Sequence, residues 1–381
     1  MHSYTFNSKT EQFERGIPNQ PWGRIGLFVL VAVCLGVAGW EIYWRSQGYE
    51  PSYDGTESSW AEFRAKAQHA GPEYTIMVGS SRALFDVDMP TWRQEMGNEH
   101  LIQLSKEGTG ALPVLRDIIE KTDFSGTLVV SVTPGLFFAK GRLHDEWAET
   151  LVKYYHKWSP AQKMEHQANL LVEPVFAFAE KGELNLAHLL PRLPLPNRPD
   201  ALFGADGVPK LSNDTRERQA KMWNKVATDS AYALRARRIW LGFASRNGPL
   251  MRADAYAAST DETMSGKFKP PPPHVRMTQG EKDSFFMQIR TWADTFRKRG
   301  GQMIFIRPPS SGMLLELEKV AFPRAETWDV LLERTGVPGV YFEDYPELQG
   351  FELPEWSHLR AEHSPPFTRA LARIVKEKLK E

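Results

Sequence analysis

The sequence predicts an α/β protein: a parallel sheet sandwiched by helices, interrupted by a helical insertion and preceded by one membrane-crossing helix. Three observations carry this. From Tyr74 onward, short apolar runs alternate with helical patterns, the rhythm of a sheet with helices on both faces. Between residues 140 and 280 the rhythm stops, and it resumes over 281–381. Ahead of it all, residues 25–40 form an uncharged apolar run of sixteen.

The apolar run, extended past Glu41 by Ile42, Tyr43 and Trp44, gives a segment over 25–44. Twenty helical residues at ~1.5 Å each match a hydrocarbon core of roughly 30 Å. Trp22 stands at one edge and Trp40, Tyr43 and Trp44 at the other, where interfacial aromatics belong. A buried soluble helix would not need those flanks. No small-x-small site follows the run, which argues against a cleaved signal peptide, and Val33 before Cys34 makes a poor lipoprotein signal. Lys9, Arg15 and Arg24 precede the run, whereas only Arg45 follows it before Glu50, Asp54 and Glu57. The positive-inside rule then predicts a cytoplasmic N-terminus over 1–24 and everything after the span outside. Ala32, Gly36 and Gly39 form a small-residue stripe: either a face for another membrane helix or the ordinary tolerance of such helices for glycine.

Residues 45–73 read as a polar connector with a short helix over 60–70. Strands are expected at 74–78, 100–104 and 127–133, the last a β-branched run suited to burial on both faces. Helices are expected at 91–96 and 111–121, completing a first part of the sheet domain over 74–139. In the insertion, helices at 146–158, 161–181 and 215–245 surround proline runs at 191–196 and 270–273, which read as stiff connectors. The second part, 281–381, supplies a helix at 281–299, strands at 302–307 and 340–342, a helix at 325–335, and a final helix from Pro365.

Composition excludes several classes. The 47 basic and 47 acidic residues cancel, so no global field attracts nucleic acid. The lone Cys34 excludes an intrachain disulfide and a cysteine metal site. No phosphate-cradling glycine loop is present. His144, His156 and His166 lack metal-site spacing and read as surface or packing residues. Neither metal nor cofactor is expected.

Two short motifs carry chemistry. Tyr74-Thr-Ile-Met-Val-Gly-Ser-Ser-Arg82 ends a strand in two serines, and Pro354-Glu-Trp-Ser-His-Leu359 offers a histidine three residues after a carboxylate. A serine at the C-terminal end of a buried parallel strand sits where open α/β sheets bind ligands. Glu355 can hold the Nδ1 proton of His358 and leave Nε2 to act as base toward a serine hydroxyl. The plainer alternatives are a Gly-Ser-Ser turn that caps the next helix, a solvated histidine and a surface carboxylate. Arg82 and Arg307 can hold an anionic substrate group or form structural ion pairs.

At this point the chain resembles the SGNH, or GDSL, hydrolase superfamily, whose fold is a three-layer, flavodoxin-like parallel sheet. Gly79-Ser80-Ser81 is similar to the family's first block, which makes Ser81 the nucleophile. Glu355-Trp-Ser-His358 resembles its last block, with glutamate where aspartate is usual, and the helix around Phe367–Leu371 resembles its closing helix. Leu101-Ile-Gln-Leu-Ser-Lys-Glu-Gly108 has the layout of the second block and implies that Gly108 donates an oxyanion-hole amide beside that of Ser81. The third block's asparagine is missing from Val132-Thr-Pro-Gly135. Thr133 is the residue that would stand in, and losing one oxyanion donor typically costs ~3 kcal/mol. The layout is similar to membrane-anchored exported members that work beside membrane-bound O-acyltransferases, as in alginate acetylation and teichoic-acid alanylation. The resemblance implies a single-pass protein of a bacterial inner membrane with its C-terminal domain in the periplasm or outside. It implies serine O-acyltransferase or esterase activity on a cell-envelope or secreted carbohydrate polymer, with an acyl donor and a multi-span O-acyltransferase as partners. The alternative is a non-catalytic accessory that binds polymer or supports the acyltransferase.

Overall fold

The structure, a computed structural model, describes residues 20–139, 143–179, 210–245 and 277–380. The segments 1–19, 191–196 and 270–273 discussed above lie outside the described residues.

Among the described residues the first element is α1 (Trp22–Ser46), none of whose residues is buried. It is long and apolar enough to cross a membrane. A polar stretch leads to α2 (Glu57–Ala67), capped by Thr56, whose side chain accepts from the Ser59 amide. The expected connector is no loose tether. Trp60 is fully buried and its indole donates to the Leu104 carbonyl at 2.8 Å. Arg64, also fully buried, pairs with Asp117 at 2.5 Å.

The sheet order is β2 (Leu101–Gln103), β1 (Thr75–Val78), β3 (Thr127–Ser131), β6 (Gln302–Arg307), β7 (Gly339–Tyr341). All neighbours are parallel. Ile76, Met77, Val78, Leu128, Val129, Val130, Ile304, Phe305 and Ile306 are fully buried, as continuous apolar runs in a doubly covered sheet should be. From β1 the chain turns through α3 (Ser81–Asp86) and α4 (Met89–Met96) to β2, then back through α5 (Leu112–Lys121) to β3. Right-handed crossovers in opposite directions put α3 and α4 on one face and α5 on the other. The C-terminal α14 (Ser364–Lys378) packs on α4, α3 and β7, while α11 (Gln279–Lys298) packs on α5 and β6. The order reverses between β1 and β3, so ligand binding is expected at the C-terminal tips of those two strands.

The insertion differs from the expected helices. Residues 215–245 are not one helix. Strand β4 (Ser212–Asp214) pairs antiparallel with β5 (Ala220–Met222), and α9 (Asn224–Thr228) and α10 (Ser230–Ser245) follow. Polar Arg216, Glu217 and Arg218 hid the hairpin, because its turn rests on Arg218 in a left-handed conformation (φ +66°) rather than on a glycine. Helices α7 (Leu143–His156) and α8 (Pro160–Val172) stand where the expected pair begins, the second starting with a Ser159/Gln162 capping box, but α8 stops at Val172 rather than running on to 181, and a turn leads to Ala177–Ala179. Among the described residues three further helices escaped the pattern: α3, the short α6 (Pro134–Phe137), and α12 (Gly312–Ala321), which precedes α13 (Trp328–Thr335).

Candidate active site

Three strand tips converge first. A Cβ on Gly79 would stand 2.6 Å from the Ser131 Cβ, so only glycine lets the β1 and β3 tips approach this closely. The Lys106 amide donates to the Gly79 carbonyl at 3.2 Å and draws in the β2 tip. Ser80 occupies the N-cap position of α3, yet its side chain does not cap it. Its hydroxyl pairs instead with Thr133 Oγ1 at 2.8 Å. Ser81 is the first residue of α3 and half-buried.

Helix α3 faces the histidine loop. Ser81 and Phe85 are four residues apart and share a face. The Phe85 ring stacks on the His358 imidazole with centroids 4.2 Å apart. Arg82 Nε donates to Ser357 Oγ at 3.3 Å, and the Leu359 amide donates to Asp86 Oδ1 at 2.9 Å. Burial pushes the Asp86 carboxyl well above the usual carboxylate range, opposed by the Leu359 amide and Arg82.

His358 is 1% exposed and Glu355 fully buried. Glu355 Oε1 accepts the backbone N–H of His358 at 2.7 Å and lies 2.9 Å from Nδ1. A carboxylate oxygen that accepts from Nδ1–H favours, in the neutral imidazole, the tautomer whose lone pair is on Nε2. Nε2 is buried with no hydrogen-bond partner among the described residues, so Ser81 does not bond it. Between the two residues, Trp356 takes a left-handed backbone (φ +73°), a strained state that costs about 1–3 kcal/mol. Its carbonyl accepts from the Ser311 amide at 2.9 Å, and its indole lies on Gly312, where a Cβ would come within 2.5 Å of Nε1.

Helix α10 of the insertion closes over this loop. Trp240 Nε1–H donates to Glu355 Oε2, and its ring meets His358 edge-on. Arg237 donates from Nε (2.8 Å) and Nη2 (2.6 Å) to the Pro354 carbonyl, with its guanidinium 5.0 Å over the Trp356 ring. Trp240, Arg237, Phe85 and Asp86 were all missed in the sequence. Each acts through a contact more than a hundred residues away, or through a helix too short to show a period.

Gly108 is half-buried with φ +66°, a conformation that suits glycine. Its carbonyl lies 2.6 Å from His144 Nδ1, and the Gly110 amide donates to the His144 carbonyl at 3.0 Å. His144, expected at the surface or in packing, thus pins the Gly108 loop from α7. His156 and His166 bond Asp117 (2.9 Å) and Glu62 (2.8 Å). Among the described residues no cluster of histidines, cysteines and carboxylates suits a metal.

Arg82 and Arg307 do not face an open surface. Both are buried and share Glu318: Arg82 Nη2 reaches Oε1 and Arg307 Nη2 reaches Oε2, each at 2.6 Å. Ser310 adds a hydroxyl at 2.7 Å. Of the two sequence readings, the structural ion pair is the one this geometry carries. A cavity of about 640 Å³ lined by α5, α7 and α11, including Asp145, Phe285 and Trp292, contains none of the sequence-predicted site residues.

Next to Gly108, Glu107 and Asp214 interact. Burial and the Glu107 charge push Asp214 up to about 7, while Lys106 and Arg218 hold Glu107 low against its own burial. A raised carboxyl favours the folded state while protonated, so this contribution is complete below pH ~4 and lost as pH rises toward 7. The fall in melting temperature between pH 5 and 7.5 should therefore be shallower in Asp214→Asn than in the parent protein. Equal slopes in a scanning-calorimetry series would rule this out.

Compared with known proteins, the chain matches no family model and no curated relative.

Proposed function

We propose that this is a membrane-anchored, exported acyl-transfer protein with an SGNH-like fold, acting on a cell-envelope or secreted carbohydrate polymer. Ser81 attacks the acyl carbonyl, His358 Nε2 takes and returns the proton, and Glu355 holds the imidazole. The amides of Ser81 and Gly108 receive the oxyanion. The observation that carries the reading is the buried Glu355–His358 pair, its Nε2 unbonded and its ring stacked on Phe85, one helical turn from Ser81. The parallel order 2-1-3-4-5 of the sheet strands, with Ser80 and Thr133 at the switch point, supports the fold reading. Helix α1, with Arg24 before its apolar run, supports single-pass anchoring in a bacterial inner membrane, the domain lying in the periplasm or outside. A multi-span O-acyltransferase supplies or relays the acyl group.

The test is acylated polymer in cells carrying the full chain with Ser81→Ala at normal protein level. Loss of the acyl group is the expected result, and wild-type acylation refutes the proposal. One observation favours a non-catalytic accessory instead: no hydrogen bond joins Ser81 to Nε2. In that reading Ser81→Ala is silent, while substitutions along Ala32, Gly36 and Gly39 disrupt a helix–helix contact and acylation fails.

Within the acyl-transfer reading, Trp240 matters through Glu355. Trp240→Phe retains a ring beside His358 and deletes the N–H that satisfies Oε2. A hydrogen bond to a charged group is worth about 1.5–3 kcal/mol. The rate at which a fluorophosphonate labels Ser81 should fall by roughly tenfold or more. Unchanged labelling kinetics would show that the indole only packs.

A further inference from the structure

The last turns of α1 are tied by polar contacts to the turn that follows α8. Glu41 lies within the apolar helix, between exposed Trp40 and Ile42. Its carboxylate accepts the backbone amides of Ala177 (3.0 Å) and Phe178 (3.3 Å). Arg45, one turn on, pairs with Glu41 at 2.5 Å and donates to the Val175 carbonyl at 3.0 Å. The turn after α8 therefore lies alongside the last turns of α1.

At this corner buried polar side chains lie beside exposed apolar ones. Lys163, Glu165 and Gln167 of α8 are exposed, but two polar residues point inward: His166, 3% exposed, bonds Glu62 at 2.8 Å, and buried Glu173 accepts the Asp54 amide at 3.3 Å. The apolar ones point out, with Met164 74%, Leu171 76%, Val172 42% and Val175 51% exposed. The spacing of seven and one puts Met164, Leu171 and Val172 on one side of α8, and Val175 follows in the turn after the helix ends at Val172.

We infer that this corner is a second membrane contact, seated among the lipid headgroups and upper acyl chains of the outer face. The inference rests on the reading that α1 spans the bilayer. In that reading Trp40, Tyr43 and Trp44 mark the interface, and residues 175–178, bonded to Glu41 and Arg45, sit at the same depth. A carboxylate at that depth needs partners, and the corner supplies them. The exposed face of α8 then lies in the plane of the interface as an amphipathic helix does. Span and corner together fix the tilt of the domain, which a single flexible anchor would not.

The test uses the full chain, alone, in phosphatidylcholine–phosphatidylglycerol liposomes, with an environment-sensitive fluorophore on one cysteine at a time. Cys34 reports the span. Cys34→Ser combined with Leu171→Cys or with Val175→Cys reports the corner, and Cys34→Ser with Arg290→Cys serves as the exposed control. Spin-labelled lipids should quench Cys34 most from deep positions, and 171 and 175 severalfold more from shallow positions than the control. If Cys34 is quenched while 171 and 175 behave like 290, the corner is free of lipid and the inference is overturned with the span intact. If Cys34 itself is not quenched, the spanning reading fails and takes the inference with it.

Discussion

In the proposed acyl-transfer reaction, His358→Ala is expected to lower the rate by about four orders of magnitude, because a serine hydroxyl without a base is a weak nucleophile. Ser81→Ala should do the same, and the double variant should be no worse than either single one, since residues of one proton relay fail together. The measurement is fluorophosphonate labelling of the full chain in detergent, paired with polymer acylation in cells. The buried ring gives His358→Ala a structural consequence too, because Phe85 loses its stacking partner. Ser81→Ala lacks that complication, being half-buried at a helix start. Folded Ser81→Ala that still acylates polymer would leave only the accessory reading.

Part of this site was legible in the sequence. Local motifs declared themselves: Gly79-Ser80-Ser81 after an apolar run, and a glutamate three residues before a histidine. Local geometry explains why. Strand tips and three-residue turns are encoded within a few positions, and Glu355 does bond His358 across one such turn. The parallel sheet was legible for the same reason, since fully buried strands read as continuous apolar runs. What escaped was long-range. Glu318 is one acid among 47 acidic residues in sequence, and only the fold makes it the shared partner of two arginines. Trp240 sits in a helical run with nothing to tie it to a residue 115 positions away. The hairpin at 212–222 escaped because its strands are three residues each, too short for a period to show.

The largest stability effect is expected at Glu318→Gln. The carboxylate is 6% exposed and compensates two guanidiniums, Arg82 and Arg307, that are 1% and 2% exposed. Both arginines hold Glu318 low against its own burial, and burial pulls Arg307 down in turn, so each charge depends on the others. Removing one partner of a buried pair typically costs about 3–5 kcal/mol, because the remaining charge is stranded. At about 2–4 °C per kcal/mol for a domain of this size, the melting temperature should drop by roughly 10 °C. The sign with pH is set by the lowered carboxyl. Its contribution is full above the ordinary glutamate range and is lost as pH falls through the depressed value, so the gap between parent and variant should narrow in acid. A gap that stays constant down to pH 3 would argue that packing, not charge, is what Gln disrupts. Replacing all three residues together, as Arg82→Met, Glu318→Leu and Arg307→Met, should recover much of the loss, since apolar groups of similar volume carry no desolvation penalty. Acyl transfer need not recover with it. Arg82 also donates to Ser357, the residue before His358, so the apolar triple variant would be stable while its histidine loop lacks that tether. A protein that melts normally yet labels slowly would separate what Glu318 does for the fold from what Arg82 does for the site.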